Sequence, residues 1–324
     1  MRRAALILFG AALILLLADL AITELEDPKT APNRKAISKK EVDSLFIISL
    51  KNLGLTKESI QKRKKSNISY SYKINVSTDL SIPVLLAEIN QVFLNCEVTI
   101  NANEKSLNGL TVLNIGFDKL TVLEADLNYD DKIIRSKGVV AFVIDDFNLS
   151  SSNDSLLLDI PEPFSILLIP QTKSIELIEF FMSKQKSYSL LLNDDIPELK
   201  YKLNEGYSRS RIEGPLLSIL KDFSGAASIF IDNQSDLYKS TALVYIQDEF
   251  SKRNIDLISL DKLITINNNR DNNLITDFDN IIKNTDEQKG KIIRVSREDF
   301  GKLLGEIKRY KKLGYKIVHP TELL

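Results

Sequence analysis

The sequence predicts an α/β protein built on about seven parallel strands, preceded by a small α+β domain and an N-terminal membrane helix. Three observations carry this. After Gly138, short unbroken apolar runs alternate with amphipathic helical stretches, the pattern of strands buried on both faces beneath helices. Before residue 131 the rhythm is mixed, with helical spacing, alternating strands and consecutive strand-like runs. The first 23 residues form a separate hydrophobic segment. A chain of 324 residues, 44% hydrophobic and 27% charged, has room for about two domains with sizeable cores.

At the amino terminus, Arg2 and Arg3 precede an apolar run over 4–18, interrupted by Asp19 and resumed by Leu20, Ala21 and Ile22. Through Ile22 the run approaches the roughly 20 residues needed to span a bilayer, and it has no polar face. Cleavage favours small residues at the −3 and −1 positions. Ending at Ala21 puts Asp19 at −3, and ending at Ala18 puts Leu16 there. Residues 1–23 therefore read as an uncleaved anchor, with Arg2 and Arg3 cytoplasmic, in preference to a cleaved signal peptide. Residues 24–39, with Pro28 and Pro32, read as a linker. The rest is then expected to be extracytoplasmic, either periplasmic or at the cell surface.

Residues 40–131 make the predicted α+β domain. Val42, Leu45, Phe46 and Leu50 fall at helical spacing, closed by Gly54, so a helix is expected over 40–53. Tyr70, Tyr72, Ile74 and Val76 alternate with polar residues as a half-buried strand does. Pro83 opens a helix running to Phe93, and strands follow over 97–100, 110–115 and 120–127. The basic run 62–65, placed at the end of the first helical stretch, reads as a solvated face, with anionic lipid headgroups as the alternative.

From 138 to 324, strands are expected over 139–144, 164–169, 188–192, 227–231, 255–260, 291–295 and 315–318. Helices are expected over 174–186, 215–223, 237–252, 276–283 and 299–312. Periodicity leaves a (β/α) barrel and a doubly wound open sheet both open. In either, the site lies at the carboxyl ends of the strands. The residues reached there are Asp145 and Asp146, then Asn193, Asp194 and Asp195, then Asp232 and Asn233, and later Ser296 and Arg297. Asp145 and Asp146 stand out, because adjacent carboxylates directly after an apolar strand repel unless a cation or a proton separates them.

The scarce residues exclude whole chemistries. A single Cys, Cys96, rules out an internal disulfide, a thiolate zinc site and a CxxC redox motif. A single His, His319, rules out mechanisms that need two imidazoles from one chain. A net charge of −1 argues against a chain-wide nucleic-acid footprint. No P-loop, GxGxxG or GxSxG occurs.

Residues 140–147, VAFVIDDF, resemble the first strand of the divergent polysaccharide deacetylase family, whose members carry a VIDD strand end. PFSILLIP at 163–170 is similar to that family's second strand. SYSLLLNDDIP at 187–197 falls where the family has a strand leading into His-Leu-Pro-Met-Glu-Pro, and GAASIFIDNQS at 225–235 falls where it has Asn-Asn-His-Met-Gly-Ser. Residues 255–260 and 291–324 resemble its later elements, including Gly-Tyr-x-Ile-Val at 314–318. The resemblance covers 138–324 and implies a distorted (β/α) barrel. It also implies an Asp and two His holding a divalent metal, with a second carboxylate as base. Here the motif histidines are replaced within 191–193, 232–234 and 295–297, and only Asp145 and Asp146 persist. His319, away from the motif positions, reads as a structural or surface residue.

These departures lead to the expectation of a non-catalytic glycan-binding or scaffold protein of the cell envelope. Asp145 would be a vestigial base or metal ligand beside Asp146. Asn193, Asp194, Asp195, Asp232, Asn233 and Arg297 would face the glycan. No cofactor is expected, unless a divalent metal in an active form. The expected partners are a cell-envelope glycan or envelope protein and, through the N-terminal helix, the membrane, with no nucleic acid. One alternative is an active deacetylase whose Asp145, Asp146, Asp194, Asp195 and Asp232 make an all-oxygen site for Mg²⁺ or Ca²⁺. Another is a structural module whose α+β domain binds a partner protein.

Overall fold

The computed structural model describes residues 34–106, 109–117, 120–135, 138–147, 157–266, 273–285 and 289–324. The expected anchor and most of the linker lie outside the described residues. Among the described residues no helix is long and apolar enough to cross a membrane. The chain divides into two compact units, Met1–Lys51 with Leu55–Ile133, and Asn52–Gly54 with Ile134–Leu324.

The first unit opens with α1 (Lys39–Asn52). Ser38 and Glu41 cap it reciprocally: the Ser38 N–H donates to Glu41 Oε2 at 2.7 Å, and the Glu41 N–H donates to Ser38 Oγ at 3.3 Å. Five strands follow: β1 (Ile60–Arg63), β2 (Tyr70–Val76), β3 (Thr99–Glu104), β4 (Thr111–Phe117) and β5 (Leu120–Tyr129), with α2 (Ile82–Val92) between β2 and β3. Their order across the sheet is β1-β2-β5-β4-β3, and only β2 and β5 pair in parallel. Helix α1 buries Val42, Phe46 and Leu50, and α2 buries Ile82, Leu85 and Ile89.

Strand β1 corrects the placement of the basic run. Lys62 and Arg63 lie on this edge strand, not at a helix end. Arg63 pairs with Asp126 at 2.8 Å and Lys65 with Glu124 at 2.6 Å, both carboxylates of β5. Lys62 Nζ lies 5.0 Å from the centre of the Tyr70 ring. Ile60 is the only apolar residue of the strand, so hydrophobic alternation had nothing to show; lysine at a sheet edge also discourages pairing with other chains.

The second unit contains β6 (Val139–Asp145), β7 (Ser165–Leu168), α3 (Thr172–Ser183), β8 (Ser187–Leu192), α4 (Arg209–Asp222) and β9 (Ile229–Ile231). It continues with α5 (Asp236–Lys239), α6 (Ala242–Ser251), β10 (Leu257–Ser259), β11 (Ile264–Ile266), α7 (Leu274–Lys283), β12 (Lys291–Ser296), α8 (Arg297–Leu313) and β13 (Lys316–Ile317). Seven strands form one parallel path, β10-β9-β8-β7-β6-β12-β11. The last strand, β13, lies off this path and pairs with the start of β6.

The connection between β10 and β11 decides between the two architectures. These strands are the opposite edges of the path, yet only residues 260–263 join them. Five Cα steps reach at most about 18 Å. In a flat sheet of seven strands the edges would stand about 29 Å apart. The sheet is therefore curled into a half-barrel. Its inner cluster unites Ala141, Val143, Leu167, Leu191, Phe230 and Ile258 with Leu263 and Ile292. The alternate residues, among them Val140, Phe142 and Ile144, pack outward against helix residues such as Phe278, Phe300 and Leu303.

The differences from expectation are local. Strand β11 replaces the last strand as a member of the path; it is too short to carry a pattern. Helix α4 begins at Arg209, so Pro215 sits within it and removes one backbone donor. The helix expected over 237–252 divides into α5 and α6, because Ser240 turns to an extended backbone and its Oγ donates to the Leu237 carbonyl at 2.7 Å.

Candidate functional site

Asp145 closes β6. Strand alternation puts it with Ala141 and Val143 on the inner face of the half-barrel, and puts Arg294 with Ile292 on the same face of the adjacent β12. Arg294 Nε donates to Asp145 Oδ2 at 2.8 Å, and the two side chains are 25% and 18% exposed. Burial pushes the Asp145 carboxyl up, the Arg294 guanidinium opposes the rise, and Asp146 adds to it; the net direction is upward.

Asp146 adopts a left-handed backbone, φ 54°, and is exposed. Aspartate tolerates this conformation better than most residues. The adjacent carboxylates thus have different settings: Asp145 is half-buried against an arginine, and Asp146 is turned to solvent. Both line a cavity of about 180 Å³, together with Gln171, Ser174, Arg294 and the apolar side chains of Leu167, Leu177 and Leu191.

The other expected residues do not line this cavity. Asp194 receives the first turn of α5, its Oδ2 accepting from the Asp236 N–H at 2.6 Å and its Oδ1 from the Leu237 N–H at 2.9 Å. Asn193 is buried, and its Oδ1 accepts from the Asp195 N–H at 3.2 Å. Asp232 Oδ1 accepts from the Gln234 N–H at 2.9 Å, and its carbonyl accepts from Ser235 Oγ at 2.7 Å. Ser235 in turn caps α5. Asn233 lies in this turn, and Arg297 is the first residue of α8. The polar strand ends after β8 and β9 thus build a loop junction around one short helix.

The all-carboxylate site does not assemble. Among the described residues no group of three His, Cys, Asp or Glu side chains could hold one metal ion. The donor chemistry gives the reason. Asp145 Oδ2 is bonded to a guanidinium, both Asp194 oxygens are bonded to backbone N–H groups, and no imidazole stands near them. These residues do not fit the divalent metal that the sequence resemblance implies.

The one imidazole is elsewhere, at the start of the final 3₁₀ turn, Pro320–Glu322. The Thr321 N–H donates to His319 Nδ1 at 3.3 Å, and Thr321 Oγ1 lies 2.7 Å from the same nitrogen. An Nδ1 that accepts leaves the proton on Nε2, which is bonded to Ser187 Oγ. Ser187 Oγ donates onward to the Phe164 carbonyl at 3.3 Å. In this tautomer His319 donates to Ser187 and is not poised to take its proton, so the pair is a capping arrangement. Burial pushes the imidazole pKa down, against a smaller opposing pull from Glu322.

A larger cavity, about 560 Å³, lies at the opposite ends of the strands and is lined by residues 226–229 and 254–258, Lys262, Thr321 and Leu324. Ser228, on its wall, is hydrogen-bonded to Ser189 at 2.8 Å, and Ser189 to Ser165 at 2.7 Å, a buried row across β7 and β8 to the residue that precedes β9. Size does not make it the better candidate, because the amino ends of barrel strands ordinarily serve stability.

Sequence reasoning missed Arg294. The signal was present: a cation within the apolar run 292–295 of a strand flanked by neighbours must have a partner.

No protein-family model and no curated protein matches this chain. Solved structures do. Bacillus subtilis PdaA, a family 4 carbohydrate esterase, is 13% identical, with a TM-score of 0.38 over 59% of this chain and 82% of that one. BA3943 of Bacillus anthracis, a CE4 family pseudoenzyme, is 12% identical, with a TM-score of 0.38 over 69% of this chain and 88% of that one. A BA3943 mutant with restored enzymatic activity is 14% identical, with a TM-score of 0.40 over 69% and 91%. Likenesses of this order leave the site to be argued from the chain's own residues.

Proposed function

We propose that this chain is a membrane-anchored, extracytoplasmic protein with a distorted, polysaccharide deacetylase-like (β/α) barrel that binds a cell-envelope glycan and does not hydrolyse it. One observation carries the reading: the carboxylate that ends the VIDD strand is bonded to Arg294. Amide hydrolysis by a metal enzyme needs a Lewis acid to polarise the carbonyl and activate water, and an acid to protonate the leaving amine. A guanidinium supplies positive charge but has no coordination site for water and does not give up its proton. The single imidazole is committed to a turn at the far end of β8. The strand-end cavity, with its charged pair and apolar wall, has the mixed lining of a binding pocket. The apolar segment over 4–22 supports the anchor, and the anchor supports an envelope glycan or envelope protein as partner.

The test is metal analysis and a deacetylase assay on the detergent-solubilised full chain, with acetylated aminosugar oligomers as substrate. The expected result is neither stoichiometric metal nor turnover. Bound zinc with turnover that Asp145→Ala abolishes would overturn the reading.

A further inference from the structure

Arginine carries five N–H donors in a fixed planar fork. Arg294 uses Nε on Asp145, and among the described residues this is the guanidinium's protein hydrogen bond. Its two Nη groups belong to a side chain only 25% exposed that lines the strand-end cavity. Asp145 Oδ2 takes the Nε–H, and Oδ1 has acceptor capacity left. The cavity lining therefore combines guanidinium donors and a carboxylate with acceptor capacity left, on the neighbouring strands β6 and β12, and leucines share that lining.

We infer that Asp145 and Arg294 form a metal-independent subsite for an uncharged sugar, gripped through two adjacent hydroxyl groups. Arg294 Nη donates to one hydroxyl oxygen, and the neighbouring hydroxyl donates to Asp145 Oδ1. The apolar C–H face of the ring lies on Leu167, Leu177 and Leu191. This rests on the glycan-binding reading and names the chemistry of that same cavity.

Charge selects the ligand class. Asp145 and Arg294 cancel, and Asp146 at the rim leaves the site one negative charge in excess. A uronate would meet both aspartates at close range, and an ammonium sugar, though drawn by the excess negative charge, offers no lone pair to Arg294 Nη; a neutral pair of hydroxyls satisfies both groups. Size agrees: about 180 Å³ is below the roughly 300–1,000 Å³ of pockets for drug-sized ligands, so the cavity takes the edge of one sugar unit.

The experiment is calorimetric binding to the full chain, in detergent and EDTA, of four matched oligosaccharides: neutral hexose, uronate, free-amine and N-acetylated. The inference expects the two uncharged ligands, hexose and N-acetylated, to bind at least about tenfold more tightly than the uronate and the free amine, as loss of one charged hydrogen bond would predict. It also expects Arg294→Lys to lose about tenfold, because one ammonium cannot hold Asp145 and reach the sugar together. The paired variant Asp145→Asn with Arg294→Gln removes both charges while keeping shape, so it should fold and still lose binding. Glycan binding that prefers another class, or that the paired variant leaves intact, overturns this inference and spares the glycan-binding reading. Binding of none of the four overturns both.

Discussion

Lys311 of α8 closes on Glu162, its Nζ 2.7 Å from Oε1, and so neutralises a carboxylate that is only 3% exposed. The other oxygen, Oε2, is buried with no hydrogen-bond partner. Lys311→Met would remove the carboxylate's ion-pair partner, leaving only a backbone bond and more distant lysines, and should cost about 2 kcal/mol in denaturant unfolding. Burial raises the Glu162 carboxyl, but bonds from Lys311 and the backbone outweigh it, and the group ends below the usual range. Its contribution is therefore present above the ordinary carboxylate range and is lost as pH falls through the lowered value. Unfolding midpoints measured between about pH 5 and pH 3 should fall more steeply for the natural protein than for Lys311→Met.

The Asp145–Arg294 pair behaves in the opposite sense. The Asp145 carboxyl is raised, so its contribution is fully present below the unfolded value and is lost as pH rises through the folded one. An ionised Asp145 thus costs stability at neutral pH in spite of its partner. Removing either partner alone should destabilise by about 1–2 kcal/mol, by leaving a half-buried charge without its partner. Replacing both, as Asp145→Leu with Arg294→Met, should be neutral or stabilising. A double-mutant cycle by urea unfolding measures this coupling.

Much of this was legible in advance, where side-chain patterns are strong. The apolar runs over 139–144 and 188–192 became β6 and β8 within a residue or so, because strands buried on both faces leave continuous hydrophobic sequence. Strand β1 and strand β11 were not legible, since an edge strand of mostly charged residues and a three-residue strand carry no period. The choice between barrel and open sheet rested on which strands are edges, a property of pairing that no local pattern records. At the site, Asp145 was legible as a carboxylate ending an apolar strand. Its partner was not, because Arg294 lies 149 residues away and meets it only through the β6–β12 register.

Gly314 ends α8 with φ 107°, in the region that favours glycine. A Cβ there would stand 2.7 Å from the Arg135 carbonyl oxygen, which is backbone and cannot swing aside. Gly314→Ala therefore combines a conformational penalty with a steric one. A loss of about 2 kcal/mol or more in urea unfolding is expected, with near-unchanged far-ultraviolet circular dichroism.

His319 gives a prediction that separates a capping residue from a catalytic one. Its Nδ1 accepts from Thr321, so the neutral ring carries its proton on Nε2, toward Ser187. Long-range nitrogen–proton correlation spectra should show the Nε2–H form at pH 7. Burial lowers the imidazole pKa, so the folded state prefers the neutral ring. The stabilisation is full above the ordinary histidine range and is lost as pH falls from about 6.5 through the lowered value. His319→Asn keeps an acceptor close to the position of Nδ1 and should preserve part of the turn, whereas His319→Ala removes the cap and the Ser187 bond and should cost about 1–2 kcal/mol. A proton found on Nδ1 would reverse the direction of the Ser187 bond, making the imidazole an acceptor for the hydroxyl. The capping account would then give way to an activated serine at the amino end of β8.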